Sequence, residues 1–324
     1  MIYPEFLTEN KTIGIVALSK GVGGKLESFD LSLEELHNQG FTTIETKSVR
    51  NDSEPSTDAI TRAQELSELV TNKEVKAIWC AAGGDFELET LPHINFEEIK
   101  ENPKWYLGAS DPTNLLFPVT TKCDIATIYG FNAGSFDEML LKTYPNQCFK
   151  MLQGKVPTTK SSNKHQHLDY YNKGKPILNT KTEYIGECDV TGRMLGGCFE
   201  SINDMAGTPF DSVLEFKERY KKDGIIWFFD IFAMESSDVY RALLKMKYMH
   251  YFDNVKAILV GRVLFERESD LIGYREAFEK VCPDIPVITG MDIGHTYPHM
   301  PVINGAIAHV IVKDGKGKIS YKLK

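Results

Sequence analysis

The chain has 324 residues, 42% of them hydrophobic and 25% charged, and 37 Lys and Arg against 45 Asp and Glu give a formal net charge of −8. That is an ordinary globular composition, long enough for one large domain or two average ones, and it excludes disordered and fibrous classes. A pI of about 5.6 also disfavours nucleic-acid phosphates and anionic membranes as partners, because both call for a basic face.

In chain order, residues 12–19 form a short apolar run suited to a strand buried on both faces. Residues 26–39 place apolar positions at helical spacing and stop at Gly40, a C-terminal cap. A strand is expected over 41–45, a helix over 59–70, a strand over 75–82, a helix end over 97–102 and a strand over 104–108. Strands alternating with helices imply a parallel sheet covered on both faces. From about 146 to 189 the sequence turns polar, rich in Lys and Asn, and reads as a connection between domains. The alternation resumes over 192–205, 224–230, 238–251, 257–263, 271–281, 286–290 and 306–313. The expected organisation is an α/β domain over 1–150, a polar connector over 151–188 and a second α/β domain over 189–324, with no internal repeat.

Six cysteines, at 80, 123, 148, 188, 198 and 282, form no CxxC pair. They read as small buried hydrophobes in a reducing compartment. The N-terminus lacks the basic and apolar stretches of a signal peptide, and no apolar run reaches the roughly 18–20 residues of a membrane helix, so a cytoplasmic chain is expected.

Chemistry is concentrated in three places. In residues 105–116 an apolar strand ends in Gly108-Ala109, Ser110 occupies the turn, Asp111 is placed to cap a helix and Pro112 to begin it. A serine on a strand-to-helix corner is exposed beside helix amides able to stabilise an oxyanion, although the same residues also make an ordinary capping pair. The G-x-S-x-G elbow is not matched. In the second place, Gly83-Gly84 follows the strand at 75–82, where paired glycines permit a close backbone approach to a ligand, or simply a tight turn. No phosphate-binding glycine fingerprint is present. In the third, His295 lies between Gly294 and Thr296 in a turn after the strand at 286–290, well placed for a general base. Its orienting acid would follow the strand at 224–230, where Asp230, Glu235 and Asp238 are the candidates; the last two also fit a helix N-terminus. His165 and His167 form a His-x-His pair with no third metal ligand evident.

Taken in order, these segments resemble the LD-carboxypeptidase family of serine peptidases, which includes the microcin C immunity hydrolases. The resemblance is carried by Ala82-Gly83-Gly84, residues 91–96, residues 102–104 leading into Gly108-Ala109-Ser110-Asp111-Pro112-Thr113, then Tyr129-Gly130, residues 192–197, Gly207-Thr208-Pro209, Trp227-Phe228-Phe229-Asp230 and Gly294-His295-Thr296-Tyr297-Pro298. It implies a flavodoxin-like (Rossmann-like) N-terminal domain with the nucleophile, a C-terminal α/β domain with acid and base, and an active site at their interface. Ser110 falls on the family nucleophile, His295 on its base, and the amides of Gly84 and Asp111 on its oxyanion hole. The family's acid is usually Glu; the matching position here is Asp230, one methylene shorter, so its carboxylate must approach by roughly 1 Å or bond more loosely. Glu235 reaching back is the alternative.

The resemblance further implies no metal and no organic cofactor, a possible homodimer, and cleavage before a C-terminal D-residue of a muropeptide tetrapeptide in peptidoglycan recycling. The alternative substrate is a peptidyl or acyl-sulfamoyl adenylate, as in microcin C immunity. A non-catalytic binding protein on the same scaffold is a further alternative, weakened because Ser110 and His295 are both present.

Overall fold

The computed structural model describes residues 1–137, 142–166 and 178–323. The chain divides into two compact units, Met1–Pro157 with Pro301–Gly305, and Thr158–Met300 with Ala306–Lys324.

The first unit is built on β1 (Thr12–Val16), β2 (Thr42–Glu45), β3 (Ala77–Cys80), β4 (Trp105–Gly108) and β5 (Thr127–Tyr129), ordered β2-β1-β3-β4-β5 and all parallel. That order is the flavodoxin type, with the topological switch between β1 and β3. β3 and β4 are buried throughout, as an apolar run covered on both faces must be. The helices are α1 (Leu26–Asn38), α2 (Ala59–Thr71), α3 (Phe96–Glu101), α4 (Thr113–Thr121) and α5 (Thr143–Leu152). Asp58 caps α2 by accepting the Thr61 N–H at 2.9 Å, and α1 stops at Gly40, whose φ of 83° suits glycine. Trp79 packs edge-on against Phe136 at 5.3 Å, and Phe136 against Phe149 of α5 at 5.1 Å.

The second unit has β6 (Thr159–Lys160), β7 (Lys164–Gln166), β8 (Leu178–Lys181), β9 (Cys188–Cys198), β10 (Ile225–Asp230), β11 (Val255–Gly261) and β12 (Val287–Met291). β13 (Val302–Asn304) instead pairs antiparallel with β5 and completes the first sheet. β14 (Ile307–Lys313) and β15 (Lys316–Lys322) return to the second unit, whose sheet runs β12-β11-β10-β9-β14-β15-β6. Its first four strands are parallel and the rest antiparallel. α6 (Phe199–Met205), α7 (Val213–Arg219), α8 (Ser236–Tyr248) and α9 (Tyr274–Val281) complete it. Trp227 stacks on Phe229 at 5.2 Å and on Tyr251 at 5.8 Å; each such buried aromatic contributes a few kcal/mol of apolar burial.

Within the segment expected as a connector over 151–188, the described residues carry short elements. α5 ends in it, β6 forms a sheet edge and β7 pairs with β8. These strands are two to four residues long and mostly polar or half exposed, so they lack the apolar alternation that marks a strand in sequence.

Candidate active site

The sharp turn after β4 is held by backbone geometry. A Cβ on Gly108 would lie 2.5 Å from the Pro112 Cβ, so only glycine lets the chain fold back here. Ser110 then adopts φ 68°, a left-handed conformation that costs a non-glycine residue about 1–2 kcal/mol. Its surroundings fix it there. The Ala109 N–H donates to Asn132 Oδ1 at 2.9 Å, the Ser110 N–H to the Tyr129 hydroxyl at 3.1 Å, and the Thr113 N–H to the Ser110 carbonyl at 2.9 Å. The loop after β3 approaches closely, since a Cβ on Gly83 would meet the Ser110 Cβ at 3.1 Å. Gly84, at φ 144°, has no room for a side chain: its Cβ would sit 2.4 Å from the Ser19 Oγ. Ser19, Gly84 and Ser110 thus gather at the carboxyl ends of β1, β3 and β4, beside the switch point where α/β sheets bind ligands.

Asp111 does not cap the helix as expected. Pro112 occupies the cap position of α4 without a side-chain bond, while Asp111 turns inward to accept the Glu87 N–H at 2.9 Å and the Asn114 side-chain amide at 2.7 Å. Burial pushes the Asp111 carboxyl above the usual range. Glu87 is fully buried, neither carboxyl oxygen has a hydrogen-bond partner, and burial followed by the Asp111 charge pushes it well above the ordinary carboxylate value.

In the second unit, β10 ends in the fully buried Asp230. Its Oδ2 lies 2.9 Å and its Oδ1 3.0 Å from His295 Nδ1, and Oδ1 also accepts the His295 N–H at 3.3 Å. Gly294 makes this approach possible. At φ 93°, its Cβ would stand 2.0 Å from Asp230 Oδ1, so the loop backbone closes directly onto the carboxylate. Burial alone would depress the imidazole. The Asp230 carboxylate, by charge and by hydrogen bond, with Glu200 adding to it, holds it above its usual 6.5. With Nδ1 committed to Asp230, Nε2 is the nitrogen left for proton transfer. Glu235 is exposed at the N-cap of α8, with its side chain accepting from the Ser237 hydroxyl at 2.9 Å; no bond joins it to His295.

Two supports escape sequence reasoning. Arg262, after β11, donates to the carbonyls of Gly290 and Pro298 and to Asp292 Oδ1 at 2.6 Å, bracketing the His295 loop. The buried Asp292 also accepts from Ser162 and Tyr184 and stays below the usual carboxylate range: burial opposes ionisation, but the Arg262 charge and these hydrogen bonds prevail. Glu200, in the first turn of α6, receives the N–H groups of Phe232, Ala233 and Met234. A lone acidic residue after Gly196-Gly197-Cys198 carries no sequence signal for such a role. His167 lies outside the described residues; His165 Nδ1 is 3.2 Å from the Thr182 hydroxyl. Among the described residues no cluster of three or more His, Cys, Asp or Glu side chains is arranged to hold a metal, and no helix is long and apolar enough to cross a membrane.

A flavodoxin-type unit bearing a strained serine, and a second α/β unit bearing a buried Asp-His pair, define a class that the family comparison makes explicit. Residues 13–130 match the LD-carboxypeptidase N-terminal domain and residues 191–310 the LD-carboxypeptidase C-terminal domain, so the chain belongs to the LD-carboxypeptidase family of peptidases. Within it, the chain is similar to a Vibrio cholerae protein carrying a carboxypeptidase name, 26% identical over 318 residues and covering 92% of this chain and 91% of the relative. It is also similar to the microcin C7 self-immunity protein of Escherichia coli, 27% identical over 286 residues, 83% and 81% of the two chains. The wild-type apo structure of that immunity protein aligns with TM-score 0.83 at 23% identity over 99% of both chains. A muramoyltetrapeptide carboxypeptidase from Oxalobacter formigenes aligns at 0.76 and 20% identity over 96% of this chain and 98% of its own. At these identities the structural likeness is one of fold.

Proposed function

We propose that the chain is a serine-type LD-carboxypeptidase in which Ser110, His295 and Asp230 act as nucleophile, base and orienting acid. The observation that carries this is the Asp230–His295 pair, a buried carboxylate on Nδ1 that fixes the tautomer and leaves Nε2 to accept a proton. The Ser110 Oγ–H passes its proton to Nε2 as Oγ bonds to the amide carbon. The amides of Gly84 and Asp111 receive the oxyanion. His295 then protonates the departing amine, the C–N bond breaks, and water hydrolyses the acyl-enzyme by the same proton route. The substrate is an amide before a C-terminal D-residue, such as the terminal D-Ala of a muropeptide tetrapeptide.

A second substrate class, an acyl-sulfamoyl adenylate, is favoured by one feature. The Phe232 ring, 38% exposed, lies 4.7 Å from the His295 imidazole and offers an aromatic face beside the base. The related immunity protein has been solved in complex with aspartyl sulfamoyl adenosine. Incubation with each substrate, read by mass spectrometry, separates the two. Ser110→Ala is expected to abolish turnover of whichever is cleaved; a folded Ser110→Ala enzyme with full activity overturns the mechanism, and cleavage of neither substrate by the wild type points to a binding protein.

A further inference from the structure

Glu200 has no part in the proton transfers above, yet it is bound to the segment that follows Asp230. Its Oε1 accepts three consecutive backbone N–H groups, from Phe232 at 3.0 Å, Ala233 at 2.9 Å and Met234 at 3.0 Å, and its Oε2 faces Cys198 Sγ at 3.4 Å. All three amides converge on one oxygen, and a charged carboxylate oxygen bonds more strongly to each donor than a neutral carbonyl does. Three convergent amides therefore call for a charged oxygen.

The segment so fixed carries Phe232, which is held from two further sides. Its carbonyl accepts the Phe265 N–H at 3.0 Å, and its ring meets the Phe265 ring edge-on at 5.2 Å. The same ring lies tilted at 47° against the His295 imidazole, 4.7 Å away. A continuous path thus runs from the Glu200 carboxylate through the 232–234 backbone to the face of the imidazole that Asp230 holds by Nδ1.

We propose that Glu200 is a positioning residue for His295: its carboxylate locks the turn after Asp230 and thereby the Phe232 ring that braces the imidazole. This rests on His295 being the general base. The groups whose charge reaches the imidazole are Asp230, from β10, and Glu200, from α6; the loop contributes Phe232, which is uncharged. Loss of Glu200 therefore removes both a brace and a negative charge.

The test uses the full chain with labelled histidine, following the His295 resonances by NMR across pH and, in parallel, kcat and KM. Glu200→Ala is expected to lower the His295 titration midpoint and to reduce kcat at least tenfold with KM changed less than threefold. Glu200→Gln keeps an acceptor oxygen without the charge, so it is expected to recover part of the lost kcat while leaving the midpoint lowered. If the Ala variant fails to fold, the Gln variant's midpoint decides. An unmoved midpoint in a folded variant, or a rise in KM at constant kcat, overturns the proposal. Failure of the serine mechanism itself is seen separately, as hydrolysis persisting in Ser110→Ala, because the NMR readout needs no turnover.

Discussion

The Ser110 corner and the Asp230–His295 pair solve different problems by different means. Around Ser110 the geometry is one of backbone: a left-handed residue, glycines where a Cβ would collide, and hydrogen bonds from main-chain amides to Tyr129 and Asn132. Its buried carboxyls, Glu87 and Asp111, are pushed toward the neutral form. Around His295 the geometry is one of charge: a buried carboxylate on the imidazole Nδ1, a second carboxylate on three amides, and the Arg262–Asp292 bridge bracketing the loop. The contrast teaches that the serine corner is held by backbone shape, whereas the histidine pair depends on charge and on a close backbone approach together.

The largest effect expected in breaking that contrast is at Asp230. Asp230→Asn preserves shape but removes the charge on Nδ1, and is expected to lower kcat by about 10³- to 10⁴-fold, as loss of the orienting carboxylate does in other triads. The sign of its pH effect follows from the raised imidazole. If His295 is the base proposed above, it must lose its proton to act in the wild type, so the acid limb of kcat/KM is expected to have its midpoint above 6.5. In Asp230→Asn that limb moves to lower pH. The same raised pKa makes the pair's contribution to stability full below the unfolded histidine value and lost as pH climbs through the folded one, so thermal melts should show the wild type's advantage over Asp230→Asn shrinking as pH rises.

Next in size is a pair of glycine substitutions. Gly294→Ala puts a methyl 2.0 Å from Asp230 Oδ1 at a φ of 93°, and is expected to cost about 10²-fold in kcat with a depressed Tm. Gly83→Ala faces a looser contact, 3.1 Å from the Ser110 Cβ, and should cost about tenfold. Steady-state kinetics on both would sharpen the comparison; a larger loss at Gly83 would show that shape matters more at the serine than the contact distances indicate.

The smallest effect on activity is expected at Glu87. Its native carboxyl is raised well above the ordinary 4.5, so its contribution is favourable in acid and is lost as pH rises toward the folded value, with a slope of at most about 1.4 kcal/mol per pH unit. Glu87→Gln removes that titration. Urea midpoints of wild type and variant should diverge in favour of the variant as pH rises above the ordinary carboxylate range while kcat stays within about threefold; parallel curves would mean that Glu87 is ionised at no cost.

Much of the fold was legible in the chain itself. The buried strands at 12–16, 77–80, 105–108 and 225–230 are apolar runs that a parallel sheet requires, and the helices 26–38 and 59–71 carry their periodicity openly. β13 was not, since three residues that complete the first unit's sheet bear no local mark of a pairing more than 170 residues away. Nor were β6, β7 and β8, whose short polar stretches bury little.

Ser110, Asp230 and His295 stand out in sequence because each ends or follows an apolar strand, and chemistry collects at carboxyl ends of strands in α/β sheets. Asp111 was placed correctly in the chain and wrongly in space: a capping residue is recognised by type, but which donor its oxygen finds depends on the Glu87 loop arriving from elsewhere. The sequence by itself determined the strand ends and the residue types available there. Which carboxylate meets the histidine was decided by tertiary structure alone, because a hydrogen bond of 3.0 Å between residues 65 positions apart depends on how two loops pack and is written in neither.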